Sequence, residues 1–179
     1  NRRDEALPLL DKALALHPGD GQLVWEKAYL MTRLHCDPNE TAAFVEKHGY
    51  EREDTAIELC RALNLAGRYE EALKILLDKK FTPCEGGEHA VAEQYMFAHH
   101  ALGRGLFAAG RYEQALEHFR AAQTLPENLG AGLWNEVLLV PHQYFEARCL
   151  EELGRRDEAR ALYDHILILK VDYFSNMNL

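Results

Sequence analysis

The sequence predicts an all-α fold built from antiparallel helix hairpins, and three observations lead to this prediction. A short motif, Gly-Arg-Tyr-Glu-Glu-Ala-Leu at 67–73, returns at 110–116 and in weaker form at 154–160. After each copy, apolar residues follow at steps of three and four, which places them on one face of a helix. No segment keeps the alternating pattern of a β-strand. One such helix cannot cover its own apolar face, so neighbouring hairpins must pack against each other.

Each copy of the motif joins the end of one helix to the start of the next. Its glycine suits the left-handed backbone conformation that ends many helices. The mostly acidic pair that follows falls in the first turn of the next helix, near the positive end of the helix dipole. Ala72, Ala115 and Ala159 occupy the same place in the three copies. Their side chains are small enough for two helices to approach closely, so we expect all three to be buried.

The same reasoning places the helices along the whole chain. Stretches rich in Pro and Gly at 81–89 and 126–132 predict loops, and Pro141 predicts a bend in the eighth helix. The predicted helices cover residues 3–16, 21–35, 39–48, 52–66, 69–79, 89–109, 112–124, 134–153 and 156–169. We interpret residues 1–179 as a single array and a fragment of a longer protein, with repeats at about 1–18 (partial), 19–50, 51–80, 89–125 and 134–170.

At the motif residues the chain resembles the tetratricopeptide repeat family. That family has a glycine at the end of the first helix, then a tyrosine, a small alanine, a large residue, an alanine and a proline. The motif alanines lie 43 and then 44 residues apart, against a usual period of about 34 residues, so both intervals carry inserted residues. The matching residues are Ala6, Leu10, Ala13 and Pro18, then Gly67, Tyr69, Ala72 and Leu76, then Leu102, Gly103, Gly110, Tyr112, Ala115, Phe119 and Ala122, and finally Gly154, Ala159 and Tyr163.

This resemblance implies a tetratricopeptide-like, right-handed solenoid in which the first helix of each hairpin lines a concave groove. It further implies an interaction or scaffolding module that presents this groove to a protein or peptide. The family likeness suggests no catalytic activity of the chain itself.

A second resemblance gives the alternative function. The segment from Phe81 to Tyr95, together with residues 126–130, is similar to the C-terminal repeat region of large bacterial proteins with a β-rich, carbohydrate-related N-terminal part. It implies an accessory or oligomerisation domain of a bacterial carbohydrate-active enzyme. This chain has Cys84 and His89 where that group has an aromatic residue and a glycine, which weakens any function based on the loop.

Aligning the repeats on their motif alanines identifies candidate groove residues. An arginine lies eleven residues before each of the three alanines, and a lysine takes the equivalent place in the irregular second repeat. Four residues before the last two arginines come an imidazole and a phenol ring. The candidate groove residues are Lys27, Arg61, Arg104, Arg148, His100 and Tyr144.

Two interpretations of these cations stay open. Guanidinium groups bind carboxylates through two hydrogen bonds, which favours a carboxylate-bearing or extended peptide ligand. Alternatively, each arginine pairs with a neighbouring acid, such as Glu58 or Glu152, and only holds the repeats together.

Catalytic and metal-binding interpretations of the 81–89 loop are weak. A metal site would need Cys84, His89 and either His99 or His100, at a spacing that fits no known pattern of ligands. A helix-entry turn explains the same residues.

The remaining polar and aromatic residues do not identify a catalytic or sugar-binding site either. Nothing in the sequence places Glu85 and Glu88 on opposite sides of a pocket, as a general acid and base would require. Trp25 and Trp134 are predicted to pack in the core or between repeats rather than stack on a sugar. We therefore predict no catalytic residue, no cofactor and no metal.

Composition narrows the choice of partners. The net charge of −9 argues against non-specific nucleic-acid binding, which needs a basic surface. No apolar run approaches the roughly 18 residues that a membrane span requires. The four cysteines form no Cys-x-x-Cys pair, which favours reduced thiols and a cytoplasmic location. The apolar ends of a truncated repeat array predict association between copies of the chain.

Overall fold

The computed structural model describes residues 3–82, 88–130 and 136–169, and every regular element in these ranges is helical. Cys84, Glu85 and Trp134 lie outside the described residues. The predicted all-α fold of packed helix hairpins is confirmed. The helices are α1 (Arg3–Leu16), α2 (Gly21–Arg33), α3 (Pro38–His48), α4 (Glu53–Leu65), α5 (Tyr69–Asp78), α6 (Glu88–Ala108), α7 (Tyr112–Ala121), α8 (Val140–Glu152) and α9 (Arg156–Ile168), with short 3-10 helices at Glu127–Leu129 and Glu136–Leu139.

The motif glycine ends a helix as the sequence predicts. Gly67 has a φ of 78°, in the left-handed region that side chains with a Cβ disfavour. Its N–H donates to the carbonyl of Asn64 at 3.1 Å, and the next N–H, of Arg68, donates to that of Leu63 at 2.8 Å. This pair of hydrogen bonds is the Schellman motif, which satisfies the last carbonyls of α4 and turns the chain towards α5. The other two motif glycines end α6 and α8 with the same two hydrogen bonds.

The acidic residues of the motif pair with its arginine. Arg68 donates to both carboxylate oxygens of Glu71 at 2.7 Å, and Arg155 donates to those of Glu158 at 2.7 and 2.6 Å. These arginines precede the first residues of α5 and α9, so the ion pairs stabilise the starts of both helices. By contrast, α2 begins at a side-chain cap, in which Asp20 accepts hydrogen bonds from the second and third backbone N–H groups.

The chain forms two compact units. The first comprises Asn1–Gln94 and Asn128–Gly130, and the second comprises Tyr95–Glu127 and Ala131–Leu179. In the first unit, α1 packs on α2, α2 on α3 and α4, and α4 on α3 and α5. Its core consists of side chains that are at most 1% exposed, among them Val24, Ala28, Val45, Leu59, Leu63, Ala72 and Leu76.

A distant asparagine closes the C-terminal end of α5. The side-chain amide of Asn128 donates to the carbonyls of Leu76 at 2.8 Å and Lys79 at 2.7 Å. The backbone carbonyl of Asn128 accepts a hydrogen bond from the backbone N–H of Phe81 at 2.7 Å. These contacts place Phe81 in the first unit with only 2% of its surface exposed.

In the second unit, α7 packs on α8 and α8 on α9. The motif alanines Ala115 and Ala159 are buried there with Phe119 and Leu150. All three alanines that the sequence predicts to be buried are at most 1% exposed. The prediction of close helix contacts at these positions is therefore confirmed.

The predicted bend at Pro141 is wrong. The 3-10 helix Glu136–Leu139 comes first, and α8 begins at Val140 with Pro141 in its first turn. Proline lacks an N–H group, but the first turn of a helix has no intrahelical partner for that group in any case. Pro141 therefore starts α8 instead of bending a longer helix.

Candidate functional site

The first unit contains a groove of about 560 Å³. A face of α2 and a face of α4 both line it, and each is called a wall of the groove below. Ala90 and Val91 from the first turns of α6 line it as well, with the buried side chains of Phe81 and Leu129. The groove is thus mainly apolar, and its charged groups lie on α2, on α4 and at the start of α4.

The α2 wall is an aromatic stripe with a cation at its end. Trp25, Tyr29 and Arg33 follow one another at four-residue steps, so all three lie on one face of the helix. The rings of Trp25 and Tyr29 stack with their centroids 5.5 Å apart. The Arg33 guanidinium lies 4.9 Å from the centroid of the Tyr29 ring, at a distance typical of a cation–π contact.

The α4 wall holds a buried ion pair. An Arg61 Nη1 lies 3.1 Å from a carboxylate oxygen of Glu58, whose side chain is only 5% exposed. The other carboxylate oxygen, Oε2, has no hydrogen-bond partner in the part of the chain that the structure describes. Burial raises the pKa of Glu58, and the positive charges of Arg61 and Arg33 act against that shift.

The charges at the edge of the groove are mostly engaged within the protein. Arg52 pairs with Asp54 at 2.6 Å, and Glu53 accepts hydrogen bonds from the backbone and hydroxyl of Thr82 at 2.8 and 2.9 Å. Within the described ranges, Arg33 is the groove cation that makes no ion pair. A ligand with a negative group therefore finds one available guanidinium, beside an aromatic surface.

The two candidate groove residues of the first unit have different positions. Arg61 lines the groove and pairs there with Glu58, and its role in binding a ligand stays a prediction. Lys27 forms an ion pair with Asp11 on α1, and its ammonium lies 4.5 Å from the centroid of the Phe44 ring on α3. The contacts of Lys27 thus join three helices of the first unit.

The candidate cations of the second unit lie against aromatic rings. The Arg104 guanidinium is 5.6 Å from the ring centroid of Phe145. Arg148 donates a hydrogen bond to the hydroxyl of Tyr144 at 3.3 Å and lies 3.7 Å from a carboxylate oxygen of Glu151. The acid beside Arg148 is therefore Glu151, one residue before the predicted Glu152.

His100, the last candidate, pairs with another histidine. Its Nδ1 lies 3.1 Å from Nδ1 of His142 on α8, and Nδ1 of the adjacent His99 lies 3.0 Å from Nδ1 of His118 on α7. The weak metal interpretation of the sequence used one of His99 and His100 together with Cys84. No group of three or more His, Cys, Asp or Glu side chains in the described residues is arranged to hold a metal ion.

Two described cysteines are deeply buried. Burial raises the pKa of the Cys60 thiol to about 12 and that of Cys149 to about 11. Both are free thiols. Because the thiolate is the reactive form, these residues serve as small core side chains and not as nucleophiles.

Three segments of the chain match the tetratricopeptide repeat family model, namely residues 55–76, 96–121 and 140–165. Each segment spans two consecutive helices and the Gly-Arg hinge that joins them. The matches support assignment to the tetratricopeptide repeat family, and with the helix packing they define a helical-repeat protein. The comparison with solved structures found no match.

Repeats of this family generally mediate protein–protein interactions, and the three matches support a protein-interaction module. None of the described helices combines the length and the apolar character that crossing a membrane requires.

The structure also identifies groove residues that the sequence interpretation missed. The sequence predicts core or inter-repeat packing for Trp25 and does not single out Tyr29 or Arg33. Their spacing of four on a first helix was the available signal. It was ambiguous, because the same spacing describes any helix face that packs in a core.

Proposed function

We propose that the chain is a protein-interaction module whose first-unit groove binds an extended segment of a partner protein. The observation that supports this proposal is the groove itself, with its stacked aromatic wall and the available guanidinium of Arg33. Small-ligand and peptide sites are typically concave and apolar, with a few well-placed polar groups. Among the groove residues that the structure describes, no nucleophile is paired with a base, so binding is the function that fits the chemistry of the groove.

The bound segment carries a carboxylate that pairs with Arg33. A guanidinium held over the ring of Tyr29 has lost part of its freedom before the ligand arrives, which lowers the entropic cost of pairing. Arg61 stays with Glu58 and forms part of the wall. An apolar side chain next to the carboxylate would rest against Trp25 of α2 and Ile57 of α4, which both line the groove.

The other candidate residues keep the status of predictions. Each has partners inside its own unit, so a groove role requires that a ligand compete with those partners. The residues concerned are Lys27, Arg104, Arg148, His100 and Tyr144.

Selection from a displayed library of random peptides tests the proposal. We expect peptides that contain an acidic and an apolar side chain, with affinities measured by fluorescence anisotropy. Arg33→Gln should weaken them about tenfold, the loss of roughly one charge-assisted hydrogen bond, and Ile57→Glu should weaken them further. The matched controls are Arg160→Gln and Leu77→Glu. They replace an arginine by glutamine and an aliphatic side chain by glutamate at exposed positions of α9 and α5.

A double-mutant cycle then tests the contact with the carboxylate. Replacing the acid of the peptide by its amide should cost little once Arg33 is already Gln, since both changes remove the same interaction. Additive losses would contradict the pairing with Arg33 but leave groove binding intact. Equal losses in the groove variants and their controls would contradict the proposal as a whole.

The alternative, an accessory or oligomerisation domain of a bacterial carbohydrate-active enzyme, stays a prediction from resemblance. Association of the chain with itself, which the apolar ends of the array predict, and a cytoplasmic location, which the cysteines predict, also stay predictions. Sedimentation velocity over a range of protein concentrations tests the self-association directly.

A further inference from the structure

The second unit contains two pairs of histidines that join α6 to α7 and α8. His99 meets His118 with 3.0 Å between the two Nδ1 atoms, and His100 meets His142 with 3.1 Å between theirs. These distances fit N–H···N hydrogen bonds. Each bond requires one Nδ1 to carry a proton and the opposite Nδ1 to be bare.

Among the described residues, the surroundings of His99, His100 and His142 are mainly aromatic and poor in groups that stabilise positive charge. His100 lies edge-on to the rings of Phe119 and Phe145, with centroids 5.5 and 5.3 Å away, and His142 is only 6% exposed. His99 lies 4.6 Å, centroid to centroid, from the ring of Tyr95. Charging an imidazole in such a site costs free energy, because the low-polarity surroundings replace water.

The hydrogen-bond geometry gives His99 no good place for a second proton. Its Nε2 is buried and has no partner among the described residues. A proton added to Nε2 would therefore lack an acceptor. A proton added instead to a bare Nδ1 would point at the N–H of His118 across 3.0 Å and break the contact. Both tautomers of the pair lead to this conflict.

Two described charged side chains of these helices, Arg104 and Glu146, do not relieve the conflict. On α6, burial lowers the pKa of His100, and the positive charge of Arg104 lowers it further. The carboxylate of Glu146 on α8 is already held by Arg120 at 2.8 Å and Gln123 at 2.7 Å. The pKa of His99, of His100 and of His142 is lowered chiefly by burial and further by neighbouring positive or histidine side chains.

We infer that the two histidine pairs form an acid-sensitive contact, which opens between α6 and its neighbours α7 and α8 when the imidazoles take up protons. This inference concerns the second unit alone and does not depend on the groove function proposed above. It assigns to these histidines a regulatory role in which mild acid loosens one unit of the repeat array.

The expected effect follows from proton linkage. Burial lowers the pKa of both His99 and His142 to about 4, from 6.5 in the unfolded chain. A lowered pKa means that the open state binds more protons, so the closed state is fully favoured above about pH 6.5 and loses stability as the pH falls towards 4. Relative to pH 7.5, the opening constant at about pH 5 should rise about 27-fold for each histidine. For the two histidines together the rise should be about 700-fold.

Hydrogen exchange with mass spectrometry at about pH 7.5 and pH 5, corrected for intrinsic rates and with EDTA present, measures this opening. In the wild-type chain we expect protection of α6–α8 to fall by two to three orders of magnitude. His99→Gln combined with His142→Gln should reduce that fall to less than about tenfold. His165→Gln, a substitution of a histidine on α9 in the same unit, should behave like the wild type.

Two results would overturn the inference. One is wild-type protection of α6–α8 that does not change between the two pH values. The other is an equal loss of protection in the double variant, which would attribute the loss to general acid denaturation. If the double variant does not fold, the imidazole nitrogen shifts of the wild type decide, because His99 and His142 must be neutral at about pH 5.5.

Discussion

Replacing Gly103 with alanine tests the packing of the second unit most directly. Gly103 lies inside α6, and a Cβ built there would be 2.8 Å from the ring carbon Cε1 of Phe119. Phe119 is completely buried and its ring stacks on that of Phe145, 5.2 Å between centroids. The ring therefore has little room to move away from an added methyl group.

Two opposing effects set the magnitude. Alanine in a helix interior is favoured over glycine by about 0.5–1 kcal/mol. Adding atoms to a well-packed core costs about 1–3 kcal/mol. We expect the cost of the contact to prevail, so that Gly103→Ala destabilises the protein by about 1 kcal/mol.

Gly105 supplies the matched control on the same helix. A Cβ at Gly105 would meet nothing within 4 Å, so Gly105→Ala should gain only the helix propensity. The gap of about 2 kcal/mol between the variants corresponds to about 4–8 °C in melting temperature for a chain of this size, measured by far-ultraviolet circular dichroism.

Equal melting temperatures for the two alanine variants would refute the packing argument. A third variant locates the cause of any difference. When Phe119→Leu shortens the side chain, Gly103→Ala should cost less than it does in the wild type, because the clashing ring carbons are gone.

Two further predictions concern single side chains of the first unit. Asn128→Ala should lower the free energy of unfolding in urea by about 1 kcal/mol, since the carbonyls of Leu76 and Lys79 lose their partly buried donor. An unchanged urea midpoint would show that water replaces the amide. Cys60 should resist alkylation by iodoacetamide in the folded protein because burial raises the pKa of its thiol to about 12. The half-buried Cys36 should react before Cys60. Peptide mapping that found Cys60 modified before Cys36 would contradict this order.

The hinges and hairpins could be predicted from the sequence because their causes are local. The glycine, arginine and acid of each hinge interact within a few residues of one another, as Arg68 and Glu71 show. The burial of Ala72 followed from the spacing of apolar residues on one helix face. The predicted bend at Pro141 was wrong because the sequence did not locate the start of α8 to within one turn.

The groove was predicted only in part, since its residues come from separate helices. The sequence suggested Arg61 as a groove cation and Glu58 as its competing partner, and the two lie one turn apart on α4. Whether Arg33 also reaches the groove depends on how α2 packs against α4. Spacing along one helix contains no information on that packing.

The amino-acid sequence by itself determined the all-helical fold, the hinge positions and the buried alanines, because propensity, capping and apolar periodicity act over one or two helical turns. Only the tertiary structure decided which charges remain available to a ligand and which histidines meet. Such pairs join residues far apart in the chain, such as His100 and His142, and they form only where packing brings two helices together. Packing also decides that Arg33 makes no ion pair in the groove, because Asp54 pairs with Arg52 and Glu58 pairs with Arg61.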